Sequence, residues 1–174
     1  KTIPIWKDKK SLKEFIDEHN IEKPILLGHS MGGLNALTFA LKYPELIHSL
    51  IVVDIAPRSY RVNYEAEFNA LGMNVSNFES RQKIDEEMAH ILPDTFIRQF
   101  LQMNLEKIDT GYKWKLNVET LKKSENALNL NLADNMQFPK KCLFVLGEIS
   151  EYINSKDLEL INKFFPNSKI QTIK

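Results

Sequence analysis

The 174-residue sequence predicts an α/β fold, a mostly parallel sheet with helices on both faces, interrupted by one helical insertion. Three observations predict it. Residues 7–53 alternate in the order helix, strand, helix, strand, the rhythm of a doubly wound sheet. Leu50-Ile51-Val52-Val53 is a continuous, mostly β-branched run, as expected of a parallel strand buried on both faces. The apolar run after Pro24 ends in Gly28-His29-Ser30-Met31-Gly32, a Gly-x-Ser-x-Gly pattern between a strand and a helix.

Each element has a local reason. Over residues 7–19, Leu12, Phe15 and Ile16 share one helical face while Lys, Asp and Glu fill the other, and Asn20 is a helix stop. Ile25–Gly28 is the strand before the serine. The helix after it, about 32–42, carries Leu34, Leu37, Phe39, Ala40 and Leu41 and ends at Tyr43-Pro44. After Pro57 the rhythm changes. Helical patterns are expected over 59–71, 77–91, from Pro93-Asp94 onward and over 117–130, with a short alternating stretch at 111–116. No run between about 58 and 139 suits a parallel sheet, so residues 58–138 are expected to form a helical insertion. The α/β rhythm then returns with a strand at 142–146, a helix at about 155–164 and a strand at 169–173, so that residues 1–57 and 139–174 form the core.

The Gly-x-Ser-x-Gly turn, in this setting, is a nucleophile elbow: a sharp strand-to-helix turn that lifts the Ser30 hydroxyl clear of the sheet. Both flanking glycines, Gly28 and Gly32, are expected to be sterically required. The following helix aims its first N–H groups and positive dipole end at the serine, which makes the Met31 N–H one half of an oxyanion hole. A serine hydroxyl needs a histidine base, and that base needs a carboxylate to fix its tautomer. Asp54, at the C-terminal end of its strand, is the favoured acid. Glu148 and Glu151, in the turn after strand 142–146, are the alternatives. Among the four histidines, His29 diverges from the hydroxyl and is a candidate to line the pocket. His48 precedes its strand on the side away from the chemistry, His19 ends the first helix, and His90 lies in the insertion. The usual chain order on this fold is serine, acid, histidine, and a base after the last strand is expected a few residues beyond Ile173. A second oxyanion donor and the early strands are expected upstream, making this chain an internal segment of a longer hydrolase.

Composition narrows the classes. Lys+Arg and Asp+Glu balance at 23 each, with arginine only at 58, 61, 81 and 98, so neither nucleic acid nor an anionic membrane is an expected partner. The single cysteine, Cys142, sits in an apolar strand and reads as a small core residue. No run of about 18 apolar residues suggests a membrane span. No metal-ligand spacing stands out, and the start lacks the long apolar core of a secretory signal.

Gly28–Gly33, followed by Val53-Asp54-Ile55-Ala56-Pro57 and Tyr60, resembles the α/β-hydrolase superfamily, and within it the small YbfF-like acyl esterases and their eukaryotic relatives. Phe96–Leu101, Tyr112–Val118 and Leu143–Gly147 with Ser150 and Tyr152 add to the likeness. The resemblance implies hydrolysis of a small-molecule acyl ester or thioester without metal or organic cofactor. It implies that Ser30 is the nucleophile and Asp54 the acid, and that the histidine motif lies just past Lys174. It makes the insertion a cap over the active site, with a cytoplasmic or organellar (for example mitochondrial) location. Arg58 and Tyr60, at the cap entrance, either line the acyl or leaving-group pocket or pin the cap to the sheet. The rivals are a carbon–carbon bond hydrolase of the same fold and a non-catalytic binding or scaffold relative.

Overall fold

The computed structural model describes residues 9–60, 63–123 and 129–174. The chain divides into two compact units, Lys1–Arg61 with Ala127–Lys174, and Val62–Asn126.

The first unit is built on a four-stranded parallel sheet of β1 (Ile25–His29), β2 (Ser49–Val53), β5 (Cys142–Gly147) and β6 (Ser168–Ile173), in the order β1-β2-β5-β6. Helix α1 (Lys9–Glu18) buries Ile16 and is followed by a turn in which Asn20 takes a left-handed φ of 50°, as a helix stop often does. Helix α2 (Met31–Lys42) follows the serine and buries a face that includes Leu34, Leu37, Phe39 and Leu41. Tyr43 N–H closes its last turn on the Phe39 carbonyl before Pro44 ends it. Helix α7 (Ser155–Phe164) starts with a reciprocal cap: Asn154 accepts from backbone N–H of the first turn, and Asp157 accepts from the Asn154 N–H.

The core lies between these layers. Phe39, Leu37, Ile47, Leu50, Ile55, Phe138, Phe144 and Phe165 are fully buried, and the Phe144 and Phe165 rings meet edge-on at 5.4 Å. Each such side chain contributes about 1.5–3 kcal/mol of burial. The β2 run is buried at Leu50 and Val52 but only half-buried at Ile51 and Val53, short of the two-sided burial its sequence suggests. At the sheet edge β1 keeps Gly28 inside while Ile25 and Leu27 remain 60% and 67% exposed.

The second unit holds α3 (Glu65–Leu71), α4 (Arg81–Ala89), α5 (Thr95–Gln102), the antiparallel hairpin β3 (Leu105–Ile108) and β4 (Gly111–Trp114), and α6 (Val118–Lys122). Ser80, Asp94 and Asn117 cap α4, α5 and α6 with their side chains. Leu71, Ile84, Met88, Leu101 and Leu105 form its own core. The buried Arg98 guanidinium binds both Asp85 carboxylate oxygens, at 3.0 and 3.1 Å, together with the Leu92 and Pro93 carbonyls.

Several boundaries differ from expectation. The helix expected over 59–71 begins only at Glu65: the chain bends at Pro57–Arg58, Ser59 and Tyr60 are not helical, and residues 61 and 62 lie outside the described residues. The helix expected over 77–91 is the shorter α4. The helix expected over 117–130 covers only Val118–Lys122; residues 124–128 lie outside the described residues, and 129–138 are not helical. The alternating stretch at 111–116 is one arm of a hairpin whose other arm, β3, the four residues Leu105–Ile108 scarcely signal.

Candidate active site

Ser30 sits at the C-terminal edge of the parallel sheet with φ 50° and ψ −122°, a backbone conformation that L side chains rarely adopt. Such strain costs on the order of 1–3 kcal/mol and persists only where the surroundings fix it. The Ser30 N–H donates to the Val53 carbonyl at 3.0 Å, and its own carbonyl accepts from the Leu34 N–H at 3.1 Å, starting α2. The serine side chain makes no cap bond to the helix. Met31, as the first helical residue, has a backbone N–H with no intrahelical acceptor.

The flanking glycines are not equivalent. A Cβ on Gly28 would lie 2.3 Å from the Gly32 carbonyl oxygen, so the strand and helix pass too closely there for any side chain. Gly33 is similarly tight, 2.5 Å from Ile55 Cγ2. Gly32 is different: among the described residues nothing lies within 4 Å of a Cβ built there, and its φ is not positive. The steric need expected at Gly32 is a correction; the close packing is at Gly28 and Gly33.

Asp54 follows β2 as Ser30 follows β1. The register pairs His29 with Val53, so the serine and the aspartate each begin the loop beyond neighbouring strand ends. Asp54 also has a left-handed φ, 56°, and its N–H donates to the Val145 carbonyl of β5 at 2.8 Å. Its Oδ1 is buried and has no hydrogen-bond partner among the described residues. A buried carboxylate oxygen left unpaired is costly, so this atom is set to accept a donor. Glu148 and Glu151 are exposed on the loop after β5.

The other candidates fall in different places. His29 is exposed immediately before Ser30. The His19 ring stacks on Phe15 and its Nδ1 lies 2.9 Å from the Phe15 carbonyl. His48 is exposed before β2, at the opposite edge of the sheet, and His90 caps α4 in the second unit. Cys142 starts β5 at that opposite edge, and burial pushes its thiol up to about 12. Arg58 and Tyr60 make pinning contacts within the first unit, from the loop after β2 to α7 and to the loop after β5. Arg58 Nε donates to Asp157 at 2.8 Å, and the Tyr60 hydroxyl donates to the Tyr152 carbonyl at 2.8 Å. Asp157 and Tyr152 were not legible as partners, since they lie 99 and 92 residues further along. The Asn154-x-x-Asp157 spacing of a helix cap was the one local signal at Asp157.

Residues 2–173 match the family described as alpha/beta hydrolase fold. The chain is 32% identical over 176 residues to the sn-1-specific diacylglycerol lipase ABHD11 of Danio rerio, covering 93% of this chain and 53% of that protein. It is 30% identical over 156 residues to the Mus musculus protein of the same name, covering 86% and 51%. The chain thus spans about half the length of the curated relatives it matches. A solved structure, a marine microorganism esterase, superposes with a TM-score of 0.86 at 33% identity, covering 95% of this chain and 67% of the other. With the strand–serine–helix turn and the parallel sheet in place, the chain belongs to the alpha/beta hydrolase fold family.

Proposed function

We propose that the protein containing this chain is a serine hydrolase that cleaves a small-molecule carboxylic ester or thioester through an acyl-enzyme on Ser30. One observation carries the reading. A strained serine at a helix start and a buried, unpartnered carboxylate oxygen follow neighbouring strand ends at one sheet edge. Similarity to proteins named diacylglycerol lipase and esterase supports an ester as the substrate.

In this reading the Ser30 hydroxyl attacks the acyl carbonyl while a histidine ring nitrogen takes its proton. The other ring nitrogen of that histidine donates to Asp54 Oδ1, which fixes the tautomer and stabilises the imidazolium. Asp54 Oδ1 accepts no hydrogen bond from a histidine among the described residues, and in this reading the base is a histidine other than His19, His29, His48 and His90. The tetrahedral oxyanion accepts from the Met31 N–H at the positive end of α2 and from a second donor. Collapse breaks the ester bond, and the imidazolium gives its proton to the departing alcohol or thiol. Water, activated by the same base, then hydrolyses the acyl-enzyme. The reading assigns His29, exposed beside the serine, to the lining of the pocket.

Turnover of p-nitrophenyl esters by the full-length protein tests this. Ser30→Ala is expected to abolish hydrolysis with the fold intact, and Asp54→Asn to lower kcat by roughly 10³–10⁴-fold. Retained turnover in Ser30→Ala removes the serine nucleophile. An unchanged rate in Asp54→Asn moves the acid to Glu148 or Glu151.

A further inference from the structure

The three residues after the strained Asp54, Ile55, Ala56 and Pro57, are buried, so the backbone there needs its polar groups satisfied from within the protein. The Arg58 N–H folds back on the Ala56 carbonyl at 2.8 Å. The Ala56 N–H donates at 2.8 Å to the hydroxyl of Tyr60, a side chain only 7% exposed. That hydroxyl itself donates to the Tyr152 carbonyl, at 2.8 Å, on the loop after β5. One phenol oxygen therefore ties the loop that begins with Asp54 to the loop beyond the neighbouring strand.

The phenol is braced in turn. The Arg58 guanidinium lies over the Tyr60 ring, 3.9 Å from its centroid, and its Nη2 donates to the same Tyr152 carbonyl at 3.3 Å. Arg58 Nε is held by Asp157, 2% exposed, whose other carboxylate oxygen accepts from the Asn154 N–H at 2.9 Å. Burial raises the Tyr60 phenol above its usual range, so it keeps the donor proton through neutral pH.

We infer that Tyr60, braced by Arg58 and Asp157, is a positioning residue that fixes the left-handed turn at Asp54 and so the direction of its carboxylate. The role builds on the triad function proposed above for Asp54. A carboxylate displaced by about 1 Å from its histidine lowers the rate on the order of 100-fold. In this role Tyr60 acts through the two bonds of its hydroxyl.

The test is a pair of variants and their combination in the full-length protein, with Ser30→Ala as control. Tyr60→Phe keeps the ring and removes both hydrogen bonds. It is expected to lower kcat about 10- to 100-fold with KM within about twofold. The acid limb of the kcat/KM profile should move to lower pH, because an imidazolium with a misdirected carboxylate loses its proton more readily. The double variant Tyr60→Phe/Asp54→Asn should be no slower than Asp54→Asn alone. Wild-type kcat in Tyr60→Phe beside an inactive Ser30→Ala overturns the positioning role and leaves the hydrolase reading standing. So does a loss that adds to that of Asp54→Asn with the acid limb unmoved, as a purely structural brace would give. Turnover retained in Ser30→Ala removes both readings. If circular dichroism shows that Tyr60→Phe does not fold, Asp157→Asn replaces it. That variant keeps an acceptor for the Asn154 N–H and loosens Arg58 over the ring. A smaller shift of the acid limb in the same direction is expected, and an unmoved limb overturns the role.

Discussion

Replacing the two motif glycines with alanine, one at a time, separates the sequence pattern from the packing behind it. At Gly28 the new methyl would lie 2.3 Å from the Gly32 carbonyl oxygen, 2.5 Å from the Gly32 carbonyl carbon and 2.7 Å from the Gly33 nitrogen. All three are backbone atoms of the α2 start, and ordinary contact begins near 3.4 Å. The helix would have to withdraw from β1 by roughly 1 Å, carrying Leu34 and Leu37 out of their places in the core. Overpacking of this kind costs about 3 kcal/mol or more. At about 2–4 °C per kcal/mol for a chain of this length, the expected loss in Tm is roughly 6–12 °C. At Gly32 the methyl meets nothing within 4 Å, and the gain in helix propensity is at most about 0.5 kcal/mol, so Tm should hold or rise by up to about 2 °C. Thermal unfolding of the two variants and the parent chain, followed by far-UV circular dichroism, reads both effects. A Gly28→Ala protein that melts with the parent, or a Gly32→Ala protein that loses more than Gly28→Ala, would refute the packing argument.

Two further outcomes follow from buried polar and thiol groups. Asp85→Asn should destabilise the second unit by about 2–3 kcal/mol, since it leaves the buried Arg98 charge without its carboxylate. The Arg98 hydrogen bond holds the Asp85 carboxyl below the ordinary 3.8, so the pair's stabilisation is complete above that value and fades as pH falls below it; an acid-unfolding curve of Asp85→Asn should lack that component. Cys142, buried with its thiol pushed up to about 12, should resist iodoacetamide at pH 8 in the folded chain and react on unfolding; rapid labelling of the native chain would contradict the burial.

The parts legible in the sequence were those whose signals are local. The apolar run before Gly28 and the amphipathic face from Leu34 to Leu41 each announce an element within a few residues. The helix expected at 155–164 matches α7 residue for residue. The hairpin arm Leu105–Ile108 escaped because four residues with one buried end carry almost no periodic pattern. The helix expected through Leu130 overran because Leu130 packs against the first unit's core outside any helix. At the site, the serine and aspartate were legible because each ends a strand, whereas the joining of Tyr60 to Tyr152 and of Arg58 to Asp157 depends on a crossover 92 and 99 residues long. The unequal glycines were hidden for the same reason. A motif gives the spacing, and only the approach of α2 to β1 shows which position leaves no room.

The most direct test of Ser30 as the nucleophile is fluorophosphonate labelling of the folded full-length protein, digestion, and mapping of the adduct by mass spectrometry. The probe reports a serine made nucleophilic by a working base, which is what the elbow and Asp54 are proposed to serve. Phosphonylation at Ser30, abolished by Ser30→Ala and slowed in Asp54→Asn, is the expected result. An enzyme that hydrolyses esters while Ser30 stays unmodified, or that takes the label on another residue, would contradict it.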